Sequence, residues 1–193
     1  GDGDVTLDNV TIKGDLIARG GGVNSIIIVG GGVDGKIVIA KVDGQVRVSV
    51  EGGAEVKVIV IDDGKDDVII EGTVGTVEVT APDTPVIVQN ATVTNIEIKS
   101  EGAANVTVAS GSTVTNVVVG TGSTGTTLNV EGRVTNVETS AANTNVGGTG
   151  TVTTVTTNEG ANNTSVTTPS TKVNNDGATG VTAGGGTEVP SGS

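Results

Sequence analysis

The chain has 193 residues, of which 34% are hydrophobic and 32 are glycine; Phe, Tyr, Trp, Cys, Met and His are all absent. A net charge of −12 and a pI of about 4.2 oppose nucleic acid and anionic membrane, which both require a basic face, and three arginines (Arg19, Arg47, Arg133) without aromatic platforms cannot track a nucleic-acid strand. This composition builds no disulfide, no Ser-His or Cys-His catalytic pair, and no bilayer-spanning run of about eighteen apolar residues.

In chain order, the N-terminal part offers short β-branched segments. Val10-Thr11-Ile12, Leu16-Ile17, Val23 with Ile26-Ile27-Ile28, Ile37-Val38-Ile39, Val46-Arg47-Val48 and Val56-Lys57-Val58 are the strand candidates. Gly20-Gly21-Gly22, Gly30-Gly31-Gly32 and Asp43-Gly44 punctuate them, glycine supplying the positive φ of tight corners. After Ile61 comes the densest acidic segment, Asp62-Asp63-Gly64-Lys65-Asp66-Asp67. It reads as a solvated turn with Gly64 at its tip. Its carboxylates, Asp62, Asp63, Asp66 and Asp67, are also the candidate Ca²⁺ ligands, although their spacing fits neither an EF-hand nor the glycine-rich Ca²⁺ nonapeptide. A carboxylate pair there could also serve as acid and base in sugar chemistry. Apolar spacing of 3.6 is sustained nowhere, so no helix is expected.

From residue 74 a unit recurs: Val74-Gly75-Thr76-Val77, Val93-Thr94-Asn95-Ile96, Val114-Thr115-Asn116-Val117, Val134-Thr135-Asn136-Val137 and Val152-Thr153-Thr154-Val155, with starts 19, 21, 20 and 18 residues apart. A period of this size marks a solenoid, in which stacked coils share one core. A second strand set keeps nearly the same period: Val86-Ile87-Val88, Val106-Thr107-Val108, Leu128-Asn129-Val130, Val146 and Val166. In one coil Val93, Ile96 and Ile98 point inward, Thr94-Asn95 turns a corner, and Val106 and Val108 point inward again while Glu97 and Thr107 face out. Val114, Val117, Val134 and Val137 extend this stack into the next coils.

The prediction is an all-β chain, a right-handed parallel β-helix with about 20 residues per coil and about nine coils, hence a rod of about 43 Å at ~4.8 Å per coil. A β-sandwich would recruit aromatics, and the six-residue left-handed solenoid fails because the inward spacings are three, two, then eight to ten. Residues 1–157 form the expected β-solenoid. Residues 158–183, poorer in aliphatics, read as weaker C-terminal coils, and residues 184–193 as a flexible tail or linker. With no initiator Met and no visible signal peptide, a processed or excised product is expected.

The opening Gly3-Asp4-Val5-Thr6-Leu7-Asp8-Asn9-Val10-Thr11-Ile12-Lys13-Gly14-Asp15-Leu16, with Gly20-Gly21-Gly22-Val23-Asn24-Ser25-Ile26, resembles the start of β-helical repeat regions in Gram-positive cell-surface proteins of the S-layer-homology type. The Val-Thr-Asn-Val units are similar to that group too, and the resemblance spans roughly residues 3–157. It implies a secreted, wall-associated stalk, spacer or filament element, and it carries over no active residue. The expected partners are further copies end to end, or neighbouring modules of the same surface protein.

No catalytic residue and no cofactor other than Ca²⁺ is assigned. Asn95, Asn116 and Asn136 occupy equivalent corners and are expected to form a hydrogen-bonded ladder, with Asn suited to left-handed corner backbone. Outward Thr94, Thr115, Thr135 and Thr153 form a row that could order water as an ice-binding face, with Thr107 and Thr167 on another face.

Overall fold

Period-two alternation of Val and Ile with Thr, Asn and Glu sends one side of each strand inward and leaves the other wet. The computed structural model describes residues 3–20, 22–24, 26–40, 44–64 and 66–193. Gly21, Ser25, Asp43 and Lys65, which entered the sequence reading, lie outside them. The first coil carries β1 (Val5–Asp8), β2 (Thr11–Ile12) and β3 (Leu16–Ala18), and the second β4 (Ile26–Val29) and β5 (Gly32–Ala40). The third has β6 (Val46–Glu51) and β7 (Glu55–Asp63). β8 (Val68–Val79) and β9 (Pro85–Ile98) each form in one strand what the other coils divide between two or three. Four more coils follow as β10 (Asn105–Val108) with β11 (Thr113–Val119), β12 (Thr127–Val130) with β13 (Arg133–Thr139), β14 (Asn145–Gly147) with β15 (Thr151–Asn158), and β16 (Ser165–Val166) with β17 (Lys172–Asp176). The chain is thus a β-solenoid of about nine coils with about 20 residues in each.

Every strand from β1 to β17 pairs in parallel with its counterpart one coil away. The register builds five inward columns. One runs Ile12, Val33, Val56, Val74, Val93, Val114, Val134, Val152. The next runs Leu16, Ile37, Ile59, Val77, Ile96, Val117, Val137, Val155, Val173. Val106 and Val108 belong to two columns on the third side of the coil, with Val86 and Val88 before them and Leu128 and Val130 after. Val93, Ile96, Ile98, Val106, Val108, Val114, Val117, Val134 and Val137 are all fully buried. An aliphatic stack of this width leaves no place for a ring, which explains the missing aromatics.

The fifth column changes chemistry along the rod. Ile39, Ile61, Val79, Ile98 and Val119 give way to Thr139, Thr157 and Asn175. These polar replacements are buried yet satisfied. The Thr139 and Thr144 hydroxyls meet at 2.8 Å, and Thr157 donates to Asn175 Oδ1 at 3.1 Å. Bonded in this way, the C-terminal coils avoid the cost of an orphaned polar group.

Three local readings differ from the structure. Val23 belongs to no strand and is 64% exposed, because the strand begins only at Ile26. β1, absent from the strand candidates, pairs with β4. Residues 184–193, read as a tail or linker, instead fold back over the last coil. β18 (Thr182–Ala183) and β19 (Thr187–Glu188) pair antiparallel, through a turn in which Gly184, Gly185 and Gly186 have φ of 58°, 83° and 122°. Val189 N donates to Val181 O at 2.9 Å, and Gly192 N to Asn175 O at 2.7 Å. Buried Asn175 also donates from Nδ2 to Val189 O at 2.8 Å. A glycine run reads as a flexible linker, but here its positive φ values make a chain reversal.

Close stacking makes some glycines obligatory. Gly72 has φ +87°, and a Cβ there would lie 1.9 Å from the Val50 carbonyl oxygen of the preceding coil. Gly72→Ala is expected to cost about 2–4 kcal/mol, combining left-handed backbone with overpacking. Urea denaturation with unchanged slope and a lower midpoint checks this; an unchanged midpoint would contradict the geometry.

Candidate functional site

Outward residues are brought into rows by the same register. On either side of the Val74–Val93–Val114–Val134–Val152 column lie two outward rows. One is Thr73, Thr92, Thr113, Arg133, Thr151. The other, bracketed by registered pairs on both sides, is Gly75, Thr94, Thr115, Thr135, Thr153. All eight threonines of this array are exposed. They are spaced about 6.6 Å along the strand and about 4.8 Å between coils. Thr113 and Thr92 meet hydroxyl to hydroxyl at 3.4 Å. Thr107 and Thr167 form no such row, since Asn129 and Gly147 stand between them in register.

At the adjoining corner Asn116 Nδ2 donates to Asn95 Oδ1 at 3.0 Å, and Asn136 Nδ2 to Asn116 Oδ1 at 3.1 Å. Left-handed backbone is found elsewhere, at Asn9, Asp83, Asn90, Asn143, Asn163 and Ser170, so the corner asparagines do not serve by that conformation. Their amides link three coils.

The acidic segment does not converge. Asp66 accepts a bond from Gly44 N at 2.8 Å in the preceding coil, while Asp62 reaches Thr80 Oγ1 of the following coil at 3.5 Å. Asp62, Asp63, Asp66 and Asp67 all lie on the surface, none of them buried. Among the described residues no group of three or more acidic side chains is gathered in metal-binding geometry. Asp62 and Asp63 end β7, and the carboxylates of Asp62 and Asp66 bond to neighbouring coils.

One clamp escaped the sequence reading. Glu71 is 7% exposed, and its carboxylate accepts from Arg47 Nε at 2.7 Å, from Arg47 Nη2, and from Gln89 Nε2 at 2.9 Å. Arg47 Nη1 reaches Asn24 Oδ1 at 3.1 Å, so the network ties four coils. The clue in the sequence is Arg47 lying between Val46 and Val48, outward on a strand, with Glu71 one coil ahead.

No family model, curated protein or solved structure matches this chain. Among the described residues no helix is long and apolar enough to cross a membrane.

Two surface ion pairs set the pH response. The Lys13 ammonium bonded to Asp34 holds that carboxyl below its usual range. Glu97, then Glu78, raises the Lys99 ammonium above its usual value. The Asp34 contribution is present above the ordinary carboxylate range and fades as pH falls through its lowered value. The Lys99 contribution is present below the ordinary lysine value and fades as pH climbs through its raised one. With no histidine, no side chain of ordinary pKa titrates between them. The melting temperature is therefore expected to stay level from about pH 6 to 9, with only small losses beyond, because both pairs are exposed. Calorimetry in pH steps checks it; a transition near pH 7 would contradict it.

Proposed function

We propose that this chain is a non-enzymatic structural module, a stiff rod that holds neighbouring domains apart at a cell surface. The observation that carries this reading is the in-register parallel stack, bulged at Val33–Lys36, Ile39–Ala40 and Ile70–Gly72, in which coil-to-coil backbone hydrogen bonds run along the rod and five side-chain columns resist bending. The extracellular setting rests on the resemblance of roughly residues 3–157 to wall-associated repeats. The folded-back C-terminal segment favours a spacer over a head-to-tail filament subunit. Placing the chain between donor and acceptor fluorescent domains tests it: a narrow transfer-efficiency distribution is expected, and a broad one, as from a flexible linker, would refute stiffness. Antibody labelling of intact producing cells tests the location.

A second reading rests on the two-column threonine array, whose exposed hydroxyls stand in a regular grid that water can bind as an ordered layer. Ice grown in millimolar protein would then show thermal hysteresis that Thr115→Lys abolishes. Unaltered freezing in the parent chain would remove this reading.

A further inference from the structure

The threonine face carries a single charge. From Thr73 to Thr153 its two rows hold eight threonines, Gly75 and Arg133. In the coil before Thr73 the rows turn to charge: Glu55 and Lys57 flank Val56 as Thr73 and Gly75 flank Val74, its registered partner. Gly75 is required by the stacking, since a Cβ there would lie 2.5 Å from the Lys57 carbonyl oxygen. Arg133 answers no such demand. It takes the place of a threonine, in register between Thr113 of one coil and Thr151 of the next. Its side chain is exposed, and among the described residues its guanidinium has no ion-pair partner.

We infer, resting on the second reading of this face as an ice-binding surface, that Arg133 limits how far an ordered water layer extends over it. A threonine hydroxyl both donates and accepts hydrogen bonds, so a row of them joins a water network at every coil. A guanidinium only donates, and its charge turns the oxygens of the surrounding water toward it. Its long side chain also stands above the short threonines and samples several rotamers, which a fixed layer must exclude. At the coil of Arg133 the array therefore narrows from two hydroxyls to one, that of Thr135. Complete pairs stand on consecutive coils at Thr92 with Thr94 and at Thr113 with Thr115. The pair of Thr151 and Thr153 lies beyond the break. A threonine at position 133 joins them into four consecutive pairs, a patch about 14 Å long at ~4.8 Å per coil. Arg133 is thus the residue that sets the size of the site.

Thermal hysteresis of Arg133→Thr and of the parent chain, at equal millimolar concentration, tests it. A roughly doubled hysteresis is expected, because the run of complete pairs doubles from two coils to four. Arg133→Ser, which also brings a hydroxyl, is expected to gain, and Arg133→Lys to stay at the parent value. Arg19→Thr makes the same exchange at an exposed position of the first coil, off the threonine rows, and is expected to change nothing. Position 133 is exposed on a strand, where threonine is favoured, so the urea midpoint is expected not to fall. Hysteresis in the parent that Arg133→Thr leaves level or lowers would overturn the inference and leave the ice reading standing. An equal gain in Arg19→Thr would overturn it as an effect of net charge. Hysteresis in neither chain would overturn both. Hysteresis in Arg133→Thr alone would support the limit set by Arg133 and remove the ice reading for the parent chain.

Discussion

Ile96→Ala is expected to destabilise the rod by about 2–5 kcal/mol, while Thr94→Ala, two residues earlier, stays within about 0.5 kcal/mol. Ile96 is fully buried and stacked in register between Val77 below and Val117 above, so truncation leaves a void bounded by three coils. Thr94 is outward and exposed. Against a total stability of about 5–15 kcal/mol, the first change removes a large fraction. In a solenoid the damage falls first on nearest neighbours, so hydrogen exchange should quicken most around residues 70–120 and least near the ends. Urea midpoints for both variants and amide exchange for the first are the measurements. Equal effects at the two sites would mean that the alternation has been misassigned.

Removing residues 184–193 is expected to loosen the last coil and to promote association through it. The deletion strips β19 from β18 and takes from buried Asn175 its bonds to Val189, Gly192 and Ser193. The last coil would then present bare edges at Thr182–Ala183 and at Asn175, and bare edges pair with other strands. Sedimentation velocity at micromolar to millimolar concentration should show concentration-dependent association of the truncated chain beyond that of the full one, and amide exchange should quicken at residues 172–183. Truncated chains that associate no more than the full one and exchange no faster would show that the folded-back segment is no cap.

The solenoid was legible because its signal is redundant. Val93, Val114 and Val134 recur at nearly one interval, each flanked by polar outward residues, and the Val-x-x-Val spacing marks a corner in every unit. Coil length came from the same interval. Less legible were features that depend on which coil a residue faces. Arg47 and Glu71 are 24 residues apart and look like ordinary outward charges until the register places them together. The clustered aspartates look like a cation site because they are adjacent in sequence. Asp62 lies in β7 and Asp66 beyond its end, and their bonds go to different coils. The C-terminal reversal was hidden for a similar reason. Gly184-Gly185-Gly186 has the composition of a linker, and its return path is fixed by buried Asn175, 9 residues before Gly184, which holds Val189 from the other side of the turn. Glycine content reports conformational freedom, and neighbouring hydrogen-bond partners decide whether that freedom becomes a turn or a tether.

The stiffness of the rod, its threonine rows and its folded-back C-terminal segment all depend on coils lying in register about aliphatic columns. Methyl–methyl nuclear Overhauser contacts in a valine-labelled chain test this most directly. An unbroken ladder of contacts from Val74 to Val93, Val114, Val134 and Val152 is expected, each neighbour about 4.8 Å from the next along the rod. Missing links between Val93 and Val114, or contacts that skip from Val74 to Val134, would contradict it.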